Sequence, residues 1–235
     1  MVIRDLGCGT GAMARWLAER LTGPQQWFLY DWDADLLALA ARNSSLSAAD
    51  GAPVTIETRR RDVTRLEPSE LAGASLLTAS ALLDVMTADE LKRLVSACAG
   101  AGCPALITLT VTGAVELTSS DPFDEWVADA FNAHQRRVVG SGRLLGPEAV
   151  AAAVGGFTSR GYCVLVRSSP WRLGPAQAGL AAEWFAGWLA AACQQRPELQ
   201  VEAVSYARQR LAAATAGRLG VTVQHQDLLA DPRGS

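Results

Sequence analysis

The sequence predicts an α/β fold in which a sheet of seven mostly parallel strands carries an antiparallel last strand and helical insertions over one end. Three observations point there. Apolar strand-like runs alternate with helical stripes through the first half of the chain. A run of glycines, Gly7-Cys8-Gly9-Thr10-Gly11, turns the first strand directly into the first helix. The closing strand follows straight after helices, which suits an antiparallel strand slipped beside the fifth.

The elements follow in order. Val2–Leu6 is a strand and Ala12–Leu21 a helix. Gln26–Tyr30 is a second strand ending at Asp31, and Asp35–Arg42 is a helix with Leu36, Leu37, Leu39 and Ala40 on one side. Val54–Thr58 alternates as a third strand running toward Asp62, and Ser75–Ala79 is a fourth, buried one. Thr87-Ala88-Asp89-Glu90 is a capping box ahead of the stripe Leu91, Leu94, Val95 and Cys98. Ala105–Thr110 is the fifth strand. A helix over Pro122–Arg137 then carries the stripe Phe123, Val127, Ala130, Phe131, His134, and Pro147 opens another. Tyr162–Val166 is a sixth strand. Pro175 and Pro197 each start a further helix, and Leu180, Trp184 and Trp188 recur at helical spacing as a buried aromatic face. Val221–His225 is the seventh strand. Right-handed crossovers make this a Rossmann-like sheet with its ligand loops at the C-terminal strand ends. The reading is one domain over 1–235, with 1–112 as a cofactor-binding half and insertions at 113–145 and 172–219 as a substrate roof.

Composition narrows the class. Of 235 residues 49% are hydrophobic and 19% charged, which excludes disorder. A net charge of −3 offers no long-range attraction to nucleic acid, and Arg59-Arg60-Arg61 reads as a solvated strand end. Five scattered cysteines without a CxxC pair point to reduced thiols in a cytoplasmic protein, with Cys8 a small packed residue and no metal constellation. The longest apolar stretch, Ala176 to Cys193, is broken by Gln177, Glu183 and Gly187, so no membrane span is expected. The first strand begins at residue 2, leaving two expectations: a naturally short chain, or one lacking an N-terminal cap.

The glycine turn brings bare backbone N–H groups against a ligand. Alone it is ambiguous, since Gly7-x-Gly9-x-x-Ala12 also satisfies the dinucleotide fingerprint. Asp5, two residues before the first glycine, is unwelcome beside a pyrophosphate but suits a ligand bearing an ammonium group. The third glycine at 11 completes Gly-x-Gly-x-Gly. In these residues the chain resembles motif I of the class I S-adenosylmethionine-dependent methyltransferases, and the resemblance runs well from residue 2 to about 110.

That resemblance implies S-adenosylmethionine as cofactor and direct in-line methyl transfer. Asp5 and the backbone of Gly7, Gly9 and Gly11 would hold the methionine end, Asp31 the ribose diol, and Trp32 the adenine face. Asp62 with the Val63 amide would read the adenine edge, and Ala79, Ser80 and Ala81 would line the methyl passage. Each acid has a plain alternative as a helix cap or turn residue.

On the acceptor side the candidates are Asp84 and His134 as catalytic groups, and Arg136, Trp171 and Arg172 as substrate contacts, with Arg137 beside them. His225 and Asp227, alternating with Val221 and Val223, read mainly as structural. The expected reaction is methylation of a small molecule, with an oxygen acceptor favoured over others. Rival readings are an NAD(P)-dependent oxidoreductase and a non-catalytic S-adenosylmethionine-binding relative, with the Trp184 and Trp188 helix as a candidate homodimer face. A weaker one is an RNA methyltransferase using Arg59 to Arg61.

Overall fold

The computed structural model describes residues 1–42, 46–140 and 142–232. The first half runs β1 (Val2–Leu6), α1 (Ala12–Ala18), β2 (Gln25–Asp31), α2 (Ala34–Arg42), β3 (Val54–Arg60), α3 (Pro68–Leu71), β4 (Leu76–Ser80) and α4 (Ala88–Ala101). The second half runs β5 (Ala105–Leu117), α5 (Phe123–Gln135), β6 (Val138–Val139), β7 (Gly142–Arg143), α6 (Ala149–Thr158), β8 (Cys163–Ser168), β9 (Trp171–Leu173), α7 (Ala178–Gln195), α8 (Gln200–Thr215) and β10 (Val221–Asp231).

The main sheet has the order β3-β2-β1-β4-β5-β10-β8. β1 to β5 pair in parallel, and β10 enters antiparallel between β5 and β8. The short β9 pairs with the start of β10 and makes eight strands rather than the seven expected. Local chemistry sets the element ends. Thr87 and Glu90 make both arms of the capping box, the Glu90 carboxylate accepting the Thr87 N–H at 2.8 Å. α1 stops at Ala18, short of Leu21, because the Gln25 amide donates to the Ala18 and Leu21 carbonyls, both at 3.0 Å.

Each face of the sheet has its own core. Ile3, Trp27 and Leu29 pack on Met13, Leu17 and Leu37 of α1 and α2. Leu77 and Ile107 pack on Leu91, Leu94 and Val95 of α4 and on Phe157 of α6. Burial of each such side chain contributes about 1.5–3 kcal/mol, which fixes the strand ends beneath the loops they carry.

β5 and β10 run beyond their neighbours and form a ribbon in which Leu117 pairs with Val221 and Val115 with Val223. α5, α7 and α8 bury a third core against this ribbon, with Phe123, Val127, Phe185, Trp188 and Tyr206 at its centre. The two expected insertions therefore meet in one helical layer. Their boundaries shift: residues 113–117 are strand, 138–143 holds a two-stranded hairpin, and Ser141 lies outside the described residues. The buried face of α7 is Ala181, Phe185, Trp188, Leu189 and Ala192, while Leu180 is exposed. A buried ion pair ties the layer together: Arg210 of α8 reaches both Asp124 oxygens at 2.7 Å and the carbonyls of Thr118 and Ser119. The Tyr206 hydroxyl also donates to Asp124.

Candidate functional site

The glycine turn closes on itself through Gly11 N–H to Cys8 O at 2.8 Å and is pinned to β2 by Cys8 N–H to Tyr30 O at 2.9 Å. Gly7, Gly9 and Gly11 all have positive φ, of 68°, 53° and 79°. A Cβ at Gly7 would meet Leu82 at 2.9 Å, whereas one at Gly9 would meet nothing within 4 Å. The turn is thus packed from below and open above Gly9. Cys8 is buried with its thiol pushed up by burial, the packed residue expected.

Asp5 lies under this turn with 1% of its surface exposed. Its Oδ1 accepts the Thr78 hydroxyl at 2.7 Å, and its Oδ2 is buried without a partner. Burial, with Asp31 nearby, raises its pKa to about 7. Asp31 ends β2 and shapes the loops: Oδ2 accepts the Gly9 N–H at 2.8 Å and Oδ1 the Asp33 N–H at 3.0 Å. Capping of α2 falls to Asp33, which accepts from Asp35 and Leu36. Asp5 and Asp31 therefore share one place under the loop. The Gly9 amide is engaged by Asp31 rather than bare.

Asp62 stands apart from them. Its side chain caps the turn at Val63–Arg65, accepting from the Thr64 N–H and hydroxyl, and pairs with Arg65 at 3.2 Å. The plain alternative for this acid is what its hydrogen bonds describe. It still follows the strand beside Asp31, since Arg61 N–H donates to Asp31 O. Trp32 is 70% exposed next to Asp31, and Val63 and Ala79 are buried.

At the ends of β4 and β5 lies a pocket of about 310 Å³ lined by Ala12, Met13, Trp16, Ser80, Thr108 and Asp227. Two non-glycine residues beside it, Ala81 and Leu109, hold positive φ of 50° and 55°. Such strain persists only where the surroundings impose it. Ala81 N–H is tied to Thr108 O at 3.0 Å, and Leu109 N–H to Asp227 Oδ1 at 3.0 Å. Asp227 also accepts the Ser169 hydroxyl at 2.6 Å.

Asp84, in the short helical turn Leu83–Val85 after β4, has Oδ1 buried without a partner and its pKa raised by burial. His225 acts electrostatically on Asp84, and its own pKa is lowered by burial while Val223, Asp84 and Asp227 pull it back up. By sequence His225 reads as structural; in the structure it lies within electrostatic reach of Asp84 and Asp227. Its signal in the sequence was only a histidine on an alternating apolar strand, which packing explains equally well.

The remaining candidates spread over the helical layer. His134 is half-buried on α5 with its pKa lowered by burial and by Arg137. Arg136 and Arg143 both face Glu148, at 3.9 and 3.4 Å. Arg172 is exposed on β9 opposite Thr222. Trp171, opposite Val223, borders a groove of about 360 Å³ with Phe131, Leu180, Trp184 and Trp188, in which the last two indoles stack at 5.4 Å. Among the described residues there is no cluster able to hold a metal ion, and no helix long and apolar enough to cross a membrane.

Residues 3–104 match the methyltransferase domain family. The fold is similar to that of a putative methyltransferase from Bacillus halodurans, at 12% identity over 97% of this chain and 90% of that one, TM-score 0.52. It is similar to the cyclopropane synthase MmaA2 from Mycobacterium tuberculosis, at 13% identity over 98% and 78%, TM-score 0.51. It also resembles the mycolic acid cyclopropane synthase CmaA1 complexed with SAH and CTAB, at 13% identity over 97% and 78%, TM-score 0.50. No curated protein matches the sequence. The domain match covers less than half of the chain, and over the whole chain the likeness is one of fold.

Proposed function

We propose that the chain methylates an oxygen of a small molecule, with S-adenosylmethionine bound over the glycine turn and the acceptor entering from the helical layer. The observation that carries the cofactor seat is the partnerless, buried Asp5 Oδ2 beneath a glycine turn that is open above Gly9. A buried carboxyl without a partner is costly unless a donor or cation arrives. The residues present fit the cofactor. Asp31 retains lone pairs for a ribose diol, Trp32 offers an exposed indole face, Asp62 and Val63 follow the neighbouring strand β3, and Ala79 and Ser80 end β4.

When bound, the cofactor supplies a methyl group made electrophilic by its sulfonium. The protein's work is alignment and exclusion of water. Thr78 holds Asp5 in place, and the Asp227 carboxylate and Thr108 carbonyl hold the strained turns that border the pocket at the ends of β4 and β5. The aromatic groove at Trp171 is the acceptor's apolar seat, two residues along the ribbon from His225. Asp84, in the turn after β4, supplies a carboxyl that acts on the charge of His225, and His134, Arg136 and Arg172 are outer contacts of the roof. Incubation with methyl-labelled S-adenosylmethionine and sets of phenols, alcohols, carboxylates and amines tests the proposal. Label on hydroxyl compounds is expected. Label confined to protein or RNA would contradict it.

A further inference from the structure

We infer that His225 is the general base of the transfer, held with Nε2 free to take the proton of a hydroxyl acceptor. This rests on the oxygen-acceptor reading above and narrows it to protic hydroxyls. The argument is geometric. His225 Nδ1 lies 3.0 Å from the Val223 carbonyl oxygen. A carbonyl only accepts, so Nδ1 carries the hydrogen, and in the neutral ring the lone pair sits on Nε2. No side chain or backbone group among the described residues hydrogen-bonds Nε2. The ring is therefore fixed in the one tautomer that leaves a base at its far end.

The backbone is arranged around this residue. The β10–β5 ladder is irregular on both sides of it, between Val223 and His225 and again between Gln226 and Leu228. Such bulges re-aim a side chain beside a site. The Ser169 N–H grips the His225 carbonyl at 3.0 Å, and the same serine's hydroxyl grips Asp227. The ionisable groups acting on the imidazole are Asp84 from the turn after β4 and Asp227 on its own strand. Its neighbours Thr110 and Val111 on β5 and Ser169 on the β8–β9 link carry no charge. Burial keeps the free base below the ordinary imidazole pKa, so it is unprotonated at neutral pH, while the two acids stabilise the imidazolium that forms.

The step balances without further reagents. The acceptor O–H bond breaks and its proton passes to Nε2. The oxygen's electron pair makes the new O–CH₃ bond, and the pair of the breaking C–S bond stays on sulfur, leaving a neutral thioether. The imidazolium then returns its proton to solvent.

The chain has two histidines, so its imidazole signals are few enough to assign with His225→Gln. Long-range ¹⁵N–¹H NMR of the wild-type protein without cofactor is expected to show His225 protonated at Nδ1 and bare at Nε2. Its midpoint should lie below the ordinary imidazole value and fall further in Asp84→Asn, because that acid's charge raises it. A hydrogen on Nε2 of the neutral ring would overturn the assignment. With labelled S-adenosylmethionine and the phenol and alcohol sets, His225→Gln should lose at least about 100-fold in kcat. Its S-adenosylmethionine affinity, read by calorimetry, should stay within about twofold. Undiminished turnover in His225→Gln overturns the base alone. Label confined to carboxylates, or none in a protein that binds S-adenosylmethionine, overturns the hydroxyl class. Failure to bind S-adenosylmethionine sinks the underlying reading instead.

Discussion

The half of the molecule around the glycine turn and the half built on the β5–β10 ribbon obey different rules. Around the turn, the proposed cofactor seat is written in short local strings: an acid, three glycines with positive φ, and the acid closing β2. On the ribbon, the groups that matter come together from distant places. Asp84 follows β4, Ser169 links β8 to β9, and His225 and Asp227 sit on the last strand. The lesson is physical. A backbone cradle needs consecutive residues, so a sequence displays it, whereas a side-chain constellation needs only a fold that converges.

Perturbing each half should give different signatures, and the largest belongs to the ribbon half. Asp124→Ala leaves the Arg210 guanidinium, 4% exposed, without its carboxylate and Tyr206 without an acceptor. Breaking a buried pair this way costs about 3–5 kcal/mol, read as a lowered urea midpoint. Because residues 3–104 match a methyltransferase domain that ends before the helical layer, the glycine turn is expected to stay formed while that layer loosens.

Next comes Asp5. Its folded pKa of about 7 lies above the ordinary aspartate value of 3.8, so folding favours its protonated form. Stability from this group is therefore full below pH 4 and is lost as pH rises toward 7, by up to ~4 kcal/mol. Asp5→Asn should flatten that slope in the cofactor-free protein, measured by denaturation at pH 5 and pH 8. A slope unchanged by the substitution would put the titrating group elsewhere. An ammonium arriving beside Asp5 should also drive its proton off, so binding near pH 6.5 should release protons in calorimetry across two buffers.

Asp31→Ala is expected to weaken S-adenosylmethionine binding by roughly 2–4 kcal/mol, on the strength of charged hydrogen bonds. The carboxylate also holds the Gly9 and Asp33 amides, so some stability should be lost with it. The smallest effect is on the groove. Gly187 lies inside α7, where a Cβ would meet nothing within 4 Å. Gly187→Ala should stabilise the fold by about 0.5–1 kcal/mol. Gly187→Leu should fold as well but raise the acceptor KM by filling the groove beside Trp184.

Legibility in the sequence followed the same division. The alternation of strands and helices, the capping box at Thr87 and the antiparallel last strand are legible because each rests on the pattern along the chain. The extensions of β5 past Thr110 and of β10 past His225 are not. Gly113 and alternating polar residues hide a ribbon that is covered on one face by helices. Leu180, Trp184 and Trp188 share a helical stripe, yet the buried face turns toward Phe185, because the ribbon and α8 lie on that side. Asp62 looked like an adenine reader and is seen making a turn cap, an ambiguity inherent in aspartate. His225 was passed over because a carbonyl two residues away fixes its tautomer, and no spacing rule announces that.

The central claim is that the open glycine turn over Asp5 and Asp31 is a seat for S-adenosylmethionine. Isothermal titration of the wild-type protein with S-adenosylmethionine and with NADPH tests it most directly. Saturable heat with the first, none with the second, and loss of the first in Asp31→Ala is the predicted result; binding of NADPH in its place would contradict the account.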